Sequence, residues 1–324
     1  RQGKTEKASQ GFSSSLEISQ VSQTLKKHKM VPYLFVICLD YILRKALDSD
    51  KELGFTLVEY KSRGHPVVKI TDIDYADDLA IISDYLSDST TLLHKLKEAA
   101  SEIGLYVNAK KTEFICYNQQ HTSTIKSYQN NNISAVKEFT YLGSNISSTK
   151  RDIEIRLGKA WSALNKLDVI WKSSLPQNMK RNFFRATVES VLVYGATSWT
   201  LTKSLEKTLD GSYTRMLRAA LNISWKQHPT KKVLYGMLPP ISETIRDRRL
   251  RFSGHCYRAK TALASDLILW KPTHGRRSRG RPAKTYVDQL TEDIDCDPEN
   301  LPMLMTDRDD WKERVNICRV RSTR

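Results

Sequence analysis

Tyr75-Ala76-Asp77-Asp78 places two adjacent carboxylates between two short runs of strand-forming residues. Val67, Val68 and Ile70 precede it, with Ile73 closer in, and Leu79, Ala80, Ile81 and Ile82 follow. That pattern predicts strand, turn, strand, with the acids at the tip. Carboxylate oxygens suit Mg²⁺, which takes one or two protein carboxylates plus substrate phosphates. Two such ions can stabilise the attacking and leaving oxygens of an in-line phosphoryl displacement. Asp is also an ordinary turn residue, so a solvated loop is the plain alternative.

The chain has 324 residues, enough for two domains, and 40% of them are hydrophobic, enough for a core. The formal charge of +16 suits a polyanionic partner. Residues 246–284 hold twelve Lys and Arg against two Asp, so they carry ten of those sixteen charges. The cysteines, Cys38, Cys116, Cys256, Cys296 and Cys318, are scattered and odd in number, with no Cys-x-x-Cys or zinc spacing. That fits a reducing, intracellular compartment, nucleus or cytoplasm, with no disulfide partner. The longest apolar run, residues 33–39, is too short to span a bilayer, so no membrane partner is expected. The chain begins at Arg1 without an initiator Met, which reads as a fragment.

Residues 1–24 are polar and rich in Ser and Gln, and read as a disordered or frame-shifted leader. From Pro32, Leu34, Phe35, Cys38, Leu39, Ile42, Leu43, Ala46 and Leu47 recur at helical spacing. After the hairpin, Asp88 or Ser89 can cap a second helix whose apolar face is Leu92, Leu93, Leu96, Ala99, Ala100 and Ile103. Gly104 then suits the position after its last turn, and residues 113–117 read as a strand. Helix, hairpin, helix, strand is an α+β order with an antiparallel sheet. Beyond about Asn145 the chain turns mostly helical. Leu157, Ala160, Trp161, Leu164, Leu167 and Trp171 form one stripe, residues 177–192 a second helix, and Leu205, Leu209, Tyr213, Met216, Leu217, Ala220 and Leu221 a third. Pro239 and Pro240 precede an arginine-rich final helix.

In this context Tyr75-Ala76-Asp77-Asp78 resembles the Asp-Asp motif of reverse transcriptases. Gly104-Leu105-Tyr106-Val107-Asn108-Ala109-Lys110-Lys111-Thr112 is similar to the next motif of non-LTR, LINE-type retrotransposon polymerases. Tyr141-Leu142-Gly143 resembles the hairpin that supports the primer strand. Pro32-Tyr33-Leu34-Phe35 with Leu39-Asp40 looks like the end of the motif upstream. The order and spacing extend the resemblance over roughly residues 25–320. It implies an RNA-directed DNA polymerase palm with Asp77 as metal ligand and Asp78 as a second ligand or a brace for the turn. Tyr75, Ala76, Gly104, Asn108, Tyr141, Leu142 and Gly143 support the motifs. Lys111 matches a lysine near the incoming nucleotide, where it can neutralise pyrophosphate charge or protonate it. Read without the family, it is an exposed lysine beside Lys110.

Two family features are not in place. No Asp precedes Asp40, so the third carboxylate is not found, and Leu25-Lys26-Lys27-His28-Lys29-Met30 stands where the family carries a Gln-Gly turn. Mg²⁺, or Mn²⁺ in its place, is expected only if the site is completed.

His274-Gly275-Arg276-Arg277-Ser278-Arg279-Gly280-Arg281-Pro282-Ala283-Lys284 is the second informative segment. Its Arg-Gly-Arg-Pro resembles an AT-hook core, which lies along a narrow A·T minor groove. A solvated basic linker, general phosphate attraction and a nuclear-localisation run are the alternatives. Arg246, Arg248, Arg249 and Arg251, on the arginine-rich helix, extend the basic set, with Arg276, Arg277, Arg279, Arg281 and Lys284 as its distal members.

The resulting expectation is an α+β chain. A leader (1–24) precedes a partial polymerase palm (25–144), a helical thumb-like region (145–240) and a basic C-terminal region (241–324). Its partners are an RNA template and a DNA primer or target, with A·T-rich DNA at residues 279–282. The chain is read as an N-terminally truncated polymerase, inactive alone, or else as a catalytically dead nucleic-acid-binding protein derived from the element.

Overall fold

The structure, a computed structural model, describes residues 10–18, 31–58, 67–108, 111–117, 125–126, 132–133, 135–224, 226–259, 262–271 and 284–322. The chain divides into two compact units, Arg1–Gly143 and Ser144–Arg324.

The first unit is a sheet with helices on one face. β1 (Gln10–Ile18) lies at its centre. α1 (Val31–Leu47) turns the Leu39, Ile42, Ala46 and Leu47 stripe inward. β2 (Phe55–Val58) and β3 (Val68–Ile70) form a separate antiparallel pair. The Val68 and Ile70 run therefore belongs to a side sheet, and the first arm of the acidic hairpin is only β4 (Asp72–Tyr75). The second arm is β5 (Asp78–Ser83), with alternating burial that sends Leu79 and Ile81 into the core. α2 (Leu86–Glu102) covers that face through Leu92, Leu93, Leu96, Ala99 and Ala100. It starts earlier than its capping signals suggest: Tyr85 is the N-cap, Asp88 lies in the first turn, and Ser89 is buried against the Ser83 hydroxyl. An acid in the first turn still complements the helix dipole. Gly104 follows the helix with φ 76° and donates its N–H to the Ser101 carbonyl (3.1 Å), as a left-handed terminator does.

β6 (Leu105–Val107) and β7 (Glu113–Cys116) both run antiparallel to β1, β7 along Gln10 to Ser13 and β6 along Leu16 to Ile18. They are one interrupted strand line on the edge of β1 opposite β5. The leader expected to be without regular structure thus contains the strand that both halves of the sheet pair with. Two short strands, β8 (Ile125–Lys126) and β9 (Asn132–Ile133), pair with each other, and β10 (Thr140–Tyr141) comes near the end of the unit.

The second unit opens with β11 (Ser144–Asn145) and α3 (Thr149–Lys166), capped by Ser148. α4 (Asp168–Lys172) and α5 (Gln177–Phe184) follow. A π-helical stretch, Arg185–Glu189, leads into α6 (Ser190–Leu192), so the helix expected over 177–192 is continuous but underwound in the middle. α7 (Lys203–Ala220) and α8 (Lys231–Tyr235) complete one core built on Phe184, Leu192, Trp199, Tyr213 and Met216. α9 (Ile241–Arg258) spans two cores, giving Ile241 and Ile245 to the first and Leu250 to the second. It is not the last helix. α10 (Ala262–Ile268), α11 (Tyr286–Ile294), α12 (Leu301–Thr306) and α13 (Arg308–Ser322) follow. The second core is Leu250, Leu290, Ile294, Leu301, Met305 and Trp311. Gly254 lets α13 approach α9, since a Cβ there would fall 2.3 Å from Trp311 Nε1, and that indole donates to the Leu250 carbonyl (2.8 Å).

Candidate active site

Tyr75 pairs with Asp78, which leaves Ala76 and Asp77 as a two-residue turn. Ala76 has φ 56° and Asp77 does not share the positive sign, the pattern of a type II′ hairpin turn. Glycine is the usual occupant of that first position, so Ala76 carries backbone strain. Both acids are solvent-exposed. Because side chains alternate, Asp78 points away from the Leu79 and Ile81 side that α2 covers. Exposed Tyr75 and Ile73 share that open face, and so does Tyr106, opposite the buried Leu105 on β6.

The Gly-Leu-x-x-Asn-x-x-Lys-Thr segment forms the break between β6 and β7. The Asn108 carbonyl accepts from Lys111 N (3.1 Å), Thr112 N (3.0 Å) and the Thr112 hydroxyl (2.8 Å). The Asn108 side-chain oxygen also accepts from Lys111 N (3.3 Å). Thr112 is buried and Lys111 exposed, so Asn and Thr build the loop that presents the lysine. β1 ties this loop to the acids. Ser15 of β1 pairs with Asp78 on one edge, while the gap between β7 (ending opposite Ser13) and β6 (starting opposite Leu16) falls at the same level on the other edge. At about 4.8 Å per strand step, the lysine loop and the Asp78 backbone lie about 10 Å apart across β1.

Tyr141 completes the arrangement. Its hydroxyl donates to the Ile73 carbonyl at 3.0 Å, which fixes the third motif on the first arm of the hairpin. Burial, followed by the charges of Asp78 and Asp74, pushes the Tyr141 phenol up from its ordinary value. Leu142 (φ 46°) and Gly143 (φ 81°) then reverse the chain. Asp74 and the β1 register are the parts of this site that sequence reasoning missed.

Among the described residues, no three His, Cys, Asp or Glu side chains come together as a metal site. Asp77 and Asp78 are two adjacent carboxylates at the hairpin tip, and no third such side chain joins them among the described residues. On β1 the positions paired with Ala80, Leu79 and Asp78 are Ser13, Ser14 and Ser15, and Glu17, two residues on, pairs with Tyr106.

The basic residues divide by environment. Arg249 is 1% exposed, donates from Nε to Asp293 (2.7 Å) and from Nη1 to the Trp199 carbonyl (2.6 Å). Its assignment as a nucleic-acid contact is corrected: burial without a partner would cost too much, and Asp293 is that partner. Arg246 approaches the same carboxylate (3.6 Å), and Arg251 pairs with Asp247 one turn earlier (2.9 Å). Arg248 is exposed. Lys284 is tied to Glu292 and to the Leu201 carbonyl (3.3 Å). Arg276, Arg277, Arg279 and Arg281 lie outside the described residues. No disulfide joins the five cysteines, and among the described residues no helix is long and apolar enough to cross a membrane.

An acid-tipped hairpin on an open sheet face, a lysine loop beside it and a tyrosine locked onto its arm occupy the stretch that matches a known family. Residues 28–146 match the model described as reverse transcriptase (RNA-dependent DNA polymerase). β1 precedes the matched stretch. Over 271 residues the chain is 25% identical to an uncharacterized transposon-derived protein of Caenorhabditis elegans, covering 78% of this chain and 97% of that relative. The first unit thus carries a reverse transcriptase domain, in a chain similar to a transposon-derived protein.

Proposed function

We propose that the first unit is the distal part of the catalytic palm of an RNA-directed DNA polymerase from a LINE-type retrotransposon, and that this polypeptide by itself does not extend a primer. The observation that carries the first half is the Tyr141 hydroxyl on the Ile73 carbonyl. It joins residues of two separate motifs at the hairpin whose tip bears Asp77 and Asp78. In the complete enzyme those two acids would be ligands for Mg²⁺ or Mn²⁺. Lys111 would offset or protonate the leaving pyrophosphate, and Tyr75 and Tyr106 would face the nucleic acid on the open side of the sheet. The second half rests on the incomplete donor set: carboxylate pairs lacking their partner lose preorganised charge, and each such loss commonly removes orders of magnitude in rate.

Primer extension on an RNA template, with Mg²⁺ and separately Mn²⁺, tests both halves. No extension is expected from the purified chain. Extension that Asp77→Asn abolishes would overturn the proposed inactivity. The helical unit would then serve as thumb-like support for template and primer, in a protein acting inside the cell, in nucleus or cytoplasm.

A second reading, a nucleic-acid-binding protein without catalysis, is favoured by the charge of +16. Its affinity should fall linearly with salt on a log–log plot. The Arg279-Gly280-Arg281-Pro282 segment would add a preference for A·T tracts. Competition by A·T-rich against G·C-rich duplex tests that, and equal competition would remove the preference.

A further inference from the structure

We propose that the cleft between α9 and α13 is a binding site for the phosphate backbone of a single-stranded nucleic acid. This deepens the nucleic-acid reading above, on which it rests for its ligand class, and does not depend on polymerase activity. The cleft has a volume of about 860 Å³. α9 lines it with Arg251, His255 and Arg258, and α13 with Arg308, Asp309 and Lys312. Four permanent cations thus face one carboxylate. The spacings, 251–255–258 and 308–312, put each set on one face of its helix. The close approach at Gly254 and the Trp311 indole bond to Leu250 hold the two walls together.

Arg308 and Lys312 are exposed, and among the described residues neither is paired with a carboxylate. Two solvated cations on a rigid wall, facing two arginines on the other, form a track for repeated anions. Arg251 binds Asp247 through Nε, and its guanidinium fork carries further N–H donors that suit a phosphate. Phe252 follows Arg251 on α9 and lies outside the lining of the cleft. It is 44% exposed on α9, one turn after Arg248 and one before His255. An exposed aromatic beside a cationic groove is the arrangement on which unpaired bases stack. That observation favours a nucleic acid over an acidic peptide. A single strand can enter between two walls, whereas a duplex presents its phosphates on a convex surface.

The test uses the full chain, with fluorescence anisotropy of a short labelled oligonucleotide, as DNA and as RNA, over a salt series. Arg308→Gln/Lys312→Gln should lower the log–log salt slope by about 1.4, two contacts at about 0.7 each, and weaken binding about 25-fold at 0.1 M salt. Phe252→Ala should weaken it about fivefold or more and leave the slope unchanged. Lys159→Gln/Lys207→Gln, equal in charge and elsewhere on the unit, should change little. All replaced side chains are solvent-exposed, and circular dichroism checks that each variant folds. An unchanged slope in Arg308→Gln/Lys312→Gln, or an equal loss in the control pair, overturns the site. Competition by polyglutamate as strong as by oligonucleotide overturns the ligand class. An equal effect of the substitutions on a duplex overturns the single-strand assignment. If the wild type binds no oligonucleotide, the nucleic-acid reading falls as well, whereas primer extension bears only on the polymerase.

Discussion

Ala76 holds a left-handed backbone at the tip of the acidic hairpin, so its substitutions separate turn geometry from chemistry. Ala76→Val should cost about 1–2 kcal/mol, because a branched Cβ makes positive φ harder, while Ala76→Gly should cost almost nothing. Thermal unfolding measures both, and equal effects would rule out the strained turn. Tyr141 offers a second test at this scale. Its folded phenol holds its proton more tightly than the unfolded one. Its contribution is therefore complete below about pH 10, the unfolded value, and is lost as pH rises toward the raised folded value. Tyr141→Phe should destabilise by about 1 kcal/mol near neutrality through the lost hydrogen bond. That deficit should shrink as pH rises above 10, as measured by denaturant titration; a deficit independent of pH would discount the neighbouring charges. The acids, the turn and the three motifs are legible in the linear chain because each is local. The Tyr141 bond to Ile73 is not, since it links residues 68 apart and neither neighbourhood announces the other.

Among the elements, α9 shows how far composition can mislead. Its arginines look alike in sequence, yet Arg249 is buried against Asp293 while Arg251 is half exposed beside Asp247. Arg249→Ala should cost about 3–5 kcal/mol by stranding a buried carboxylate. Arg251→Ala should cost under about 1 kcal/mol, as surface pairs do. Chemical denaturation distinguishes them, and equal costs would refute the division. The helices of the second unit were readable because their apolar stripes repeat at helical spacing over many residues. β1 was not, because Gly11, three serines and Gln10 dilute its alternation of Phe12, Leu16 and Ile18, leaving a polar composition that resembles a linker. Partners supplied from residues 78–83 and 105–116 override that weak preference. Ser13→Pro removes a donor from a strand paired on both edges, at a position matched to Ala80 and Glu113, and a central strand does not tolerate it. Amide protection in β5 should fall sharply, and unchanged exchange would refute the central placement of β1.

At the scale of the whole molecule, excess positive charge and folded framework are partly the same residues. Removing residues 246–284 would take away most of α9 and with it Leu250 of the second core, so such a deletion would report unfolding as well as lost binding. Removing residues 272–283 alone takes four arginines and spares every described element. It should reduce the salt slope for single strands by at most about 3, four contacts at about 0.7 each. A larger drop would mean that the segment also organises the cleft residues. The central position of β1 has a consequence for synthesis on the ribosome. The strand is made before its partners, and the edges it joins are complete only after Cys116, about a hundred residues later. At about 5–20 residues per second, that is a wait of about 5–20 s. During that interval both edges of β1 lack their partners, which leaves the strand open to pairing with another chain.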